Sequence, residues 1–135
     1  MVAFRLVVDP SDPRPIWRQI EEGVRLAIAR RELAPGDAVP SVRELARLLR
    51  VNPNTVARAY QRLGEAGVFE VRRGEGTYVA SAVPGVAKAE RRKGLQEAAQ
   101  RFAETAARLS AGREEALEAV AGALDGLLTE EKEER

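Results

Sequence analysis

The sequence predicts a mainly α-helical protein with one small β-hairpin. Three observations lead to this class. Apolar residues recur at helical spacing in three segments between residues 16 and 66. The period then changes to alternation, with closely spaced glycines, over residues 69–79. Two further helical segments, 87–109 and 113–128, carry a narrow apolar stripe. We therefore expect three helices, a two-stranded ribbon, a linker and two more helices.

The composition is that of a globular protein without the usual catalytic side chains. The 135 residues are 44% hydrophobic and 32% charged, and they include no Cys and no His. Disulfides, thiol nucleophiles and the usual zinc ligands are thereby excluded, and no nucleophile–base pair stands out, so we expect neither an enzyme nor a cofactor. The first residues lack a signal-peptide layout and no apolar run is long enough to span a bilayer, which predicts a cytoplasmic protein.

Positive charge is concentrated in one segment, although the net charge is only +1. Residues 1–80 carry 13 Arg and 10 acidic residues (+3), whereas residues 81–135 carry 9 basic and 11 acidic residues (−2). Residues 41–66 alone hold five Arg and two Glu. Because Arg suits bidentate contacts with phosphate and guanine, this segment is a candidate for nucleic-acid contact.

The N-terminal part begins with a short strand and a first helix. Residues Phe4–Val8 have the composition of a strand, and the prolines that follow break any regular structure. Apolar residues at helical spacing predict a helix over Ile16–Arg31, with Trp17 closing the edge of the core. Pro35-Gly36 then makes a turn.

Two short helices come next, separated by a tight break. Ser41 and Glu44 form a capping box at the start of the second helix, which we expect to bury its apolar positions. These are Val42, Leu45, Leu48 and Leu49. Asn52 is an N-cap for the third helix and Pro53 suits its first position. The third helix extends to Ala66, and Gly67 is placed to end it.

The residues after Gly67 predict a hairpin and then a change of domain. Strand-forming residues flank Gly74-Glu75-Gly76, which permits a tight turn. We expect one domain over residues 1–80, which includes the candidate segment for nucleic-acid contact, and a linker over 81–86. Residues 87–135 form a helical segment whose a/d spacing favours helix-on-helix packing. This seam comprises Leu95, Ala99, Phe102, Ala106, Leu109, Leu117, Val120, Leu124 and Leu127. Two helices of this size would not bury both stripes alone, so a homodimer is expected.

The helix pair at residues 41–66 matches a helix-turn-helix motif. In that motif the amino end of the second helix enters the major groove and presents side chains to base edges. Small polar residues belong there because the backbone comes close to the DNA, and helix amino ends also favour phosphate. A hairpin directly after the pair makes the domain winged.

At these residues the chain resembles the GntR family of bacterial transcriptional regulators. The resemblance rests on "PIWRQI" (15–20), "LAPGDAVPSVRELARLLRVNPNTVARAYQRL" (33–63) and "GVFEVRRGEGTYV" (67–79). The "VNPNTVARAY" form and the short two-helix C-terminus are similar to the YtrA subfamily, which lacks a large effector-binding domain. The resemblance implies a winged-helix repressor that binds a palindromic operator as a homodimer. A small-molecule effector would bind near the C-terminal helices, and the sequence does not identify one.

The DNA contacts that the resemblance implies fall on both helices and on the wing. They are Ser41, Arg43, Asn52, Asn54, Thr55, Arg58, Tyr60, Arg72, Arg73, Gly74, Gly76 and Thr77. Ser41 and Asn52 serve first as helix caps, and Tyr60 also fits the core. Glu75 departs from a wing position that is often basic in the family, which weakens the case for phosphate contact there. Trp17 stands where Tyr is common, a change we expect to be structural.

Two other functions compete with a DNA-binding regulator. A winged helix can also bind proteins, with the Arg-rich face meeting an acidic partner. An enzyme is the weaker rival because the chain lacks His, Cys and any nucleophile–base constellation.

Overall fold

The structure is a computed structural model that describes residues 5–133, with side-chain surroundings described through residue 127. Its elements confirm a mainly helical chain with one hairpin. They are α1 (Ile16–Ala29), α2 (Val42–Leu49), α3 (Pro53–Glu65), β1 (Phe69–Arg72), β2 (Gly76–Val79), α4 (Lys88–Arg108) and α5 (Arg113–Glu133). The chain divides into two compact units, Met1–Pro84 and Gly85–Arg135. Within the described range, no helix combines the length and hydropathy needed to cross a bilayer.

The strand predicted at Phe4–Val8 is wrong for its described part, residues 5–8, which have no regular structure; Phe4 lies outside the described residues. The buried amide of Gln19 explains how this segment is held instead. Its Oε1 accepts from the Asp9 amide (2.8 Å) and its Nε2 donates to the Asp9 carbonyl (3.0 Å). A side chain of α1, rather than a neighbouring strand, therefore pairs with this backbone.

Helix α1 ends two residues earlier than the predicted Arg31. Arg30 is its C-cap, and Arg31 has a φ of 62°, which takes the chain out of the helix. The apolar spacing could not reveal this end, because Ile28 is the last residue of the stripe and Ala29, Arg30 and Arg31 fit either a helix or a turn.

Local capping positions α2 and α3 as the sequence predicts. The Ser41 hydroxyl accepts from the Glu44 amide at 3.1 Å, which is one of the two bonds of a capping box. Asn52 Oδ1 accepts from the Asn54 amide at 2.8 Å, and Pro53 is the first residue of α3. Between the helices, Arg50 adopts the left-handed conformation with φ 57°, which makes the turn sharp.

The buried face of α2 differs from the prediction at Leu48, which is 56% exposed. Leu45 and Ala46 are buried and Leu49 packs at the core edge, so the buried face is centred between them. At about 100° per residue, Leu48 lies roughly 110° away from that centre. Its position on the helix, not its hydropathy, decides its exposure.

Helix α3 leads into the wing through Gly67. This residue has a φ of 78°, a left-handed conformation that favours glycine, and it follows the C-cap Ala66. Strands β1 and β2 pair antiparallel from Phe69 opposite Val79 to Arg72 opposite Gly76. The segment before α2 joins this ribbon through a bridge between Ala38 and Tyr78.

One core joins the three helices and the ribbon. Helix α2 contributes the buried residues Leu45 and Ala46. The fully buried side chains come from α1, α3, β2 and the neighbouring loops: Ile20, Val24, Leu33, Val56, Leu63, Val68 and Val79. Phe69 meets Tyr60 edge to face, with ring centroids 5.0 Å apart. This core fixes α3 against α1, α2 and the base of the wing.

The C-terminal unit has no such core among its described side chains. No residue of α4 is buried, and Leu95, Leu109 and Leu117 are each more than half exposed. The two helices separate at Ser110, whose φ of 58° breaks the chain direction. Helices α4 and α5 border an open apolar groove of about 630 Å³, whose lining includes Leu95, Phe102, Ala106, Leu117 and Val120. Helix α5 extends to Glu133, beyond the predicted residue 128.

Candidate nucleic-acid interface

The amino end of α3 presents side chains rather than free backbone amides. Pro53 has no amide hydrogen, the Asn54 amide donates to Asn52 Oδ1, and the amides of Thr55 and Val56 donate to the Asn52 carbonyl at 3.0 and 3.4 Å. The backbone amides that could bind phosphate at this end are therefore already paired, and of the expected attraction for phosphate only the helix dipole remains. What remains for a ligand is the exposed Asn54 side chain and the half-buried Thr55 hydroxyl.

Asn52 itself is committed to capping. Its side-chain oxygen accepts from the Asn54 amide. The residue is exposed, and its side-chain nitrogen forms no hydrogen bond among the described residues. Asn52 thus shapes the end of α3, and it still has its NH₂ group and the second lone pair of Oδ1 to offer to DNA.

The start of α2 lies on the same helix pair and is fixed by two hydrogen bonds. Ser41 caps the helix, and the carbonyl of the preceding Pro40 accepts from the Tyr60 hydroxyl at 2.7 Å. Arg43, in the first turn, is exposed and has no ion-pair partner in the described part of the chain. Its guanidinium is therefore available for an anion or a base edge.

Tyr60 does not belong to this surface. It is only 8% exposed, its hydroxyl is taken by Pro40, and its ring packs on Phe69. Burial raises the pKa of the Tyr60 hydroxyl, so the group stays protonated and keeps donating. The structure places the weaker of the predicted contacts in the core, where it positions the start of α2.

Arg58 lies on the exposed side of α3, one turn after Asn54. Its guanidinium carbon is 4.4 Å from the centroid of the Trp17 ring, and that of Arg62 is 4.7 Å from the same centroid. The two arginines come from α3 and the indole comes from α1. Sequence reasoning missed this contact because the residues lie about 40 positions apart and no local pattern links them.

The wing separates its two arginines. Arg72 donates to Glu70 at 3.0 Å and its guanidinium carbon lies 4.0 Å from the centroid of the Tyr78 ring, so it is held against the ribbon. Arg73 is exposed and has no ion-pair partner among the described residues. It lies beside the tip, where Gly74 and Gly76 have φ values of 77° and 125°.

Glu75 and Thr77 complete the wing. Glu75 is exposed at the tip, which leaves a negative charge beside Arg73. Thr77 is half-buried, and its carbonyl accepts from the Val39 amide at 3.0 Å. The wing therefore offers one uncommitted cation, Arg73, and one held cation, Arg72.

Comparisons with known proteins bear on this winged helix. Residues 17–79 match the family of bacterial regulatory proteins described as the gntR family. A solved structure described as YtrA from Sulfolobus acidocaldarius, a GntR-family transcription factor, is 34% identical with a TM-score of 0.59; the alignment covers 70% of this chain and 97% of that one. This chain belongs to the GntR family.

Two curated relatives refine the position of this GntR-family chain. The transcriptional repressor YtrA of Bacillus subtilis is 43% identical over 72 residues, and the uncharacterized regulator YhcF of the same organism is 46% identical over 67 residues. The alignments cover 53% and 50% of this chain, and the chain spans 55% of each relative. Within the family, the chain is therefore of YtrA-like type. The family match includes all the predicted DNA contacts and ends before the seam of α4 and α5.

Proposed function

We propose that the protein is a sequence-specific DNA-binding repressor that acts as a homodimer on a palindromic operator in the cytoplasm. One observation carries the proposal. The exposed Asn54 side chain at the amino end of α3 lies on the same helix pair as Arg43 of α2, which has no ion-pair partner among the described residues. In a winged helix-turn-helix, this end enters the major groove. The printed name of YtrA from Bacillus subtilis supports repression as the sign of regulation.

Each side chain has a role that follows from its surroundings. Asn54 and Thr55 read base edges, since an amide and a hydroxyl both donate and accept. Arg43 contacts guanine or phosphate, and Ser41 and Asn52 approach the backbone as caps. Arg73 contacts phosphate beside the wing, whose tip is shaped by Gly74, Gly76 and Thr77. Arg72 can contact phosphate only while its guanidinium also binds Glu70 or after it releases Glu70.

Dimerisation follows from the exposed seam of the C-terminal unit. Phe102 is 39% exposed and Leu124 is 54% exposed, a state that costs free energy in water. A second copy with the same groove would cover these residues by isologous packing. Two recognition helices related by a twofold axis would then read half-sites about 34–36 Å apart. Any effector would have to bind in competition or in concert with this packing.

A protein-binding module with non-specific DNA affinity is the alternative, and it is considered because Glu75 at the wing tip opposes phosphate contact there. Salt dependence distinguishes the two functions. The experiment selects bound sequences from a random DNA pool and then titrates the full chain, by fluorescence anisotropy, with the selected duplex and with a scrambled duplex. A regulator gives a steep fall of log affinity with log salt and a specificity ratio of about 10³ or more. Equal, micromolar-or-weaker affinity for both duplexes would favour protein binding.

A further inference from the structure

The indole of Trp17 contacts two guanidinium groups of the third helix. Arg58 and Arg62 lie one turn apart on α3, and their guanidinium carbons are 4.4 and 4.7 Å from the Trp17 ring centroid. Both distances are within the range of a cation–π contact, and tryptophan is the aromatic residue that forms the strongest ones. Trp17 is the only tryptophan of the chain.

The two arginines differ in what else holds them. Arg62 donates through Nε to Glu21 at 2.8 Å, so its charge is compensated. Arg58 has no hydrogen-bond or ion-pair partner in the part of the chain that the structure describes. A ring face attracts the plane of a guanidinium and leaves its N–H edges free. Trp17 therefore restricts Arg58 without occupying its donors.

Arg58 lies to one side of the most exposed line along α3, on which Asn54 lies. At about 100° per residue, it lies roughly 40° around α3 from Asn54, towards α1. If Asn54 faces the bases, as the proposed function requires, a side chain in this place would reach the phosphates that border the groove. Restricting its rotamers in the free protein lowers the entropy that binding would otherwise cost.

We propose that Trp17 is a positioning residue for DNA binding: its indole holds the Arg58 guanidinium where it contacts a backbone phosphate of the operator. The inference rests on the proposed function. It assigns a role in DNA binding to Trp17, for which the sequence alone indicated only a structural role. Trp17 should therefore affect DNA affinity only when Arg58 is present.

A double-mutant cycle tests this coupling. Operator affinity and its salt slope are measured for the full-length protein and for Trp17→Leu, Arg58→Ala and the double variant. Arg58→Ala lowers the slope of log affinity against log salt by about one, as expected for one lost phosphate contact. Trp17→Leu weakens binding by about threefold to fivefold in the wild-type background, and it has no further effect once Arg58 is absent.

Two further variants separate positioning from general stability. Trp17→Tyr keeps an aromatic face and retains most of the affinity, whereas Ile28→Ala truncates another core-edge residue of α1 and lowers the unfolding temperature without changing the salt slope. The inference is overturned if Trp17→Leu weakens binding equally with and without Arg58, or if Arg58→Ala leaves the slope unchanged. Failure of the wild-type protein to distinguish operator from scrambled DNA would instead overturn the proposed function.

Discussion

At the scale of single residues, Tyr60 links the core to the start of α2. Its hydroxyl donates to the Pro40 carbonyl at 2.7 Å, and Pro40 directly precedes the cap Ser41. Removing the hydroxyl leaves a buried carbonyl without this partner. Tyr60→Phe should therefore lower the free energy of unfolding by about 1–2 kcal/mol, measured by urea denaturation.

The matched control for that variant is Tyr78→Phe. The Tyr78 hydroxyl is 3.5 Å from the Glu75 carbonyl at an exposed site, so its loss should change stability little. Equal losses for the two variants would contradict the role of Tyr60. Because burial raises the pKa of Tyr60 above its usual value of 10.0, its contribution is complete below about pH 10 and is lost as the pH rises. Above about pH 10, the free energy of unfolding should accordingly fall less steeply with pH for Tyr60→Phe than for the wild type.

Arg43 is the residue whose proposed DNA contact is easiest to isolate. It is exposed and unpaired in the described chain, so its removal should disturb neither the core nor an ion pair. Arg43→Ala should weaken operator binding by about 1–3 kcal/mol if it contacts a base bidentately. Arg101→Ala removes the same charge from an exposed position of α4 and should leave operator affinity near that of the wild type. Unchanged affinity for Arg43→Ala would remove this residue from the interface.

At the scale of elements, glycine has opposite effects inside and beyond α3. Gly64 is in the helix, and a Cβ there would meet nothing within 4 Å. Gly64→Ala should raise the free energy of unfolding by about 0.5–1 kcal/mol, because alanine loses less conformational freedom in a helix.

Gly67 supplies the contrast. Its φ of 78° is left-handed, and a Cβ there would lie 3.2 Å from Pro84 Cγ. Gly67→Ala should destabilise the protein by about 1–2 kcal/mol. Thermal and urea unfolding of both variants provide the measurement, and a shift in the same direction for both would show that the end of α3 is misassigned.

Features encoded by neighbouring residues were predicted from the sequence, whereas contacts between distant segments were not. The two ends of α3 are predicted by local chemistry, at Asn52 and Pro53 for its start and at Gly67 for its end. The structure confirms both ends. The exposure of Leu48 depends on how α2 packs, which hydropathy does not encode. The same limit applies to the candidate site: Asn54 follows from its helix position, but the Trp17–Arg58 contact requires α1 and α3 to be packed together.

At the scale of the whole molecule, the exposed seam predicts that the oligomeric state controls function. Phe102 lies in the apolar groove of α4 and α5, so a negative charge there would have to be buried in a dimer. Phe102→Glu should convert the dimer to a monomer and weaken operator binding by about 100-fold or more, because one half-site cannot supply the avidity of two.

Light scattering measures the mass of this variant, and the fluorescence of the single tryptophan, Trp17, reports on the N-terminal unit. That unit should stay folded. Gln96→Glu adds a charge to the same helix at an exposed position outside the seam, one turn from Arg92 and Lys93, and should remain dimeric. A dimer of Phe102→Glu with wild-type affinity would mean that the seam packs elsewhere.

In the proposed complex, the amino end of α3 lies against base edges in the major groove. Because the chain contains no cysteine, Asn54→Cys introduces a single thiol that can form a disulfide with a thiol tethered to a major-groove base edge of the selected operator. Glu65→Cys is the matched control, since it lies on the same helix about 16 Å away. We predict rapid cross-linking for Asn54→Cys and little for Glu65→Cys. Cross-linking of Asn54→Cys only to a minor-groove tether, or equal cross-linking of the two variants, would contradict the placement of this helix end in the major groove.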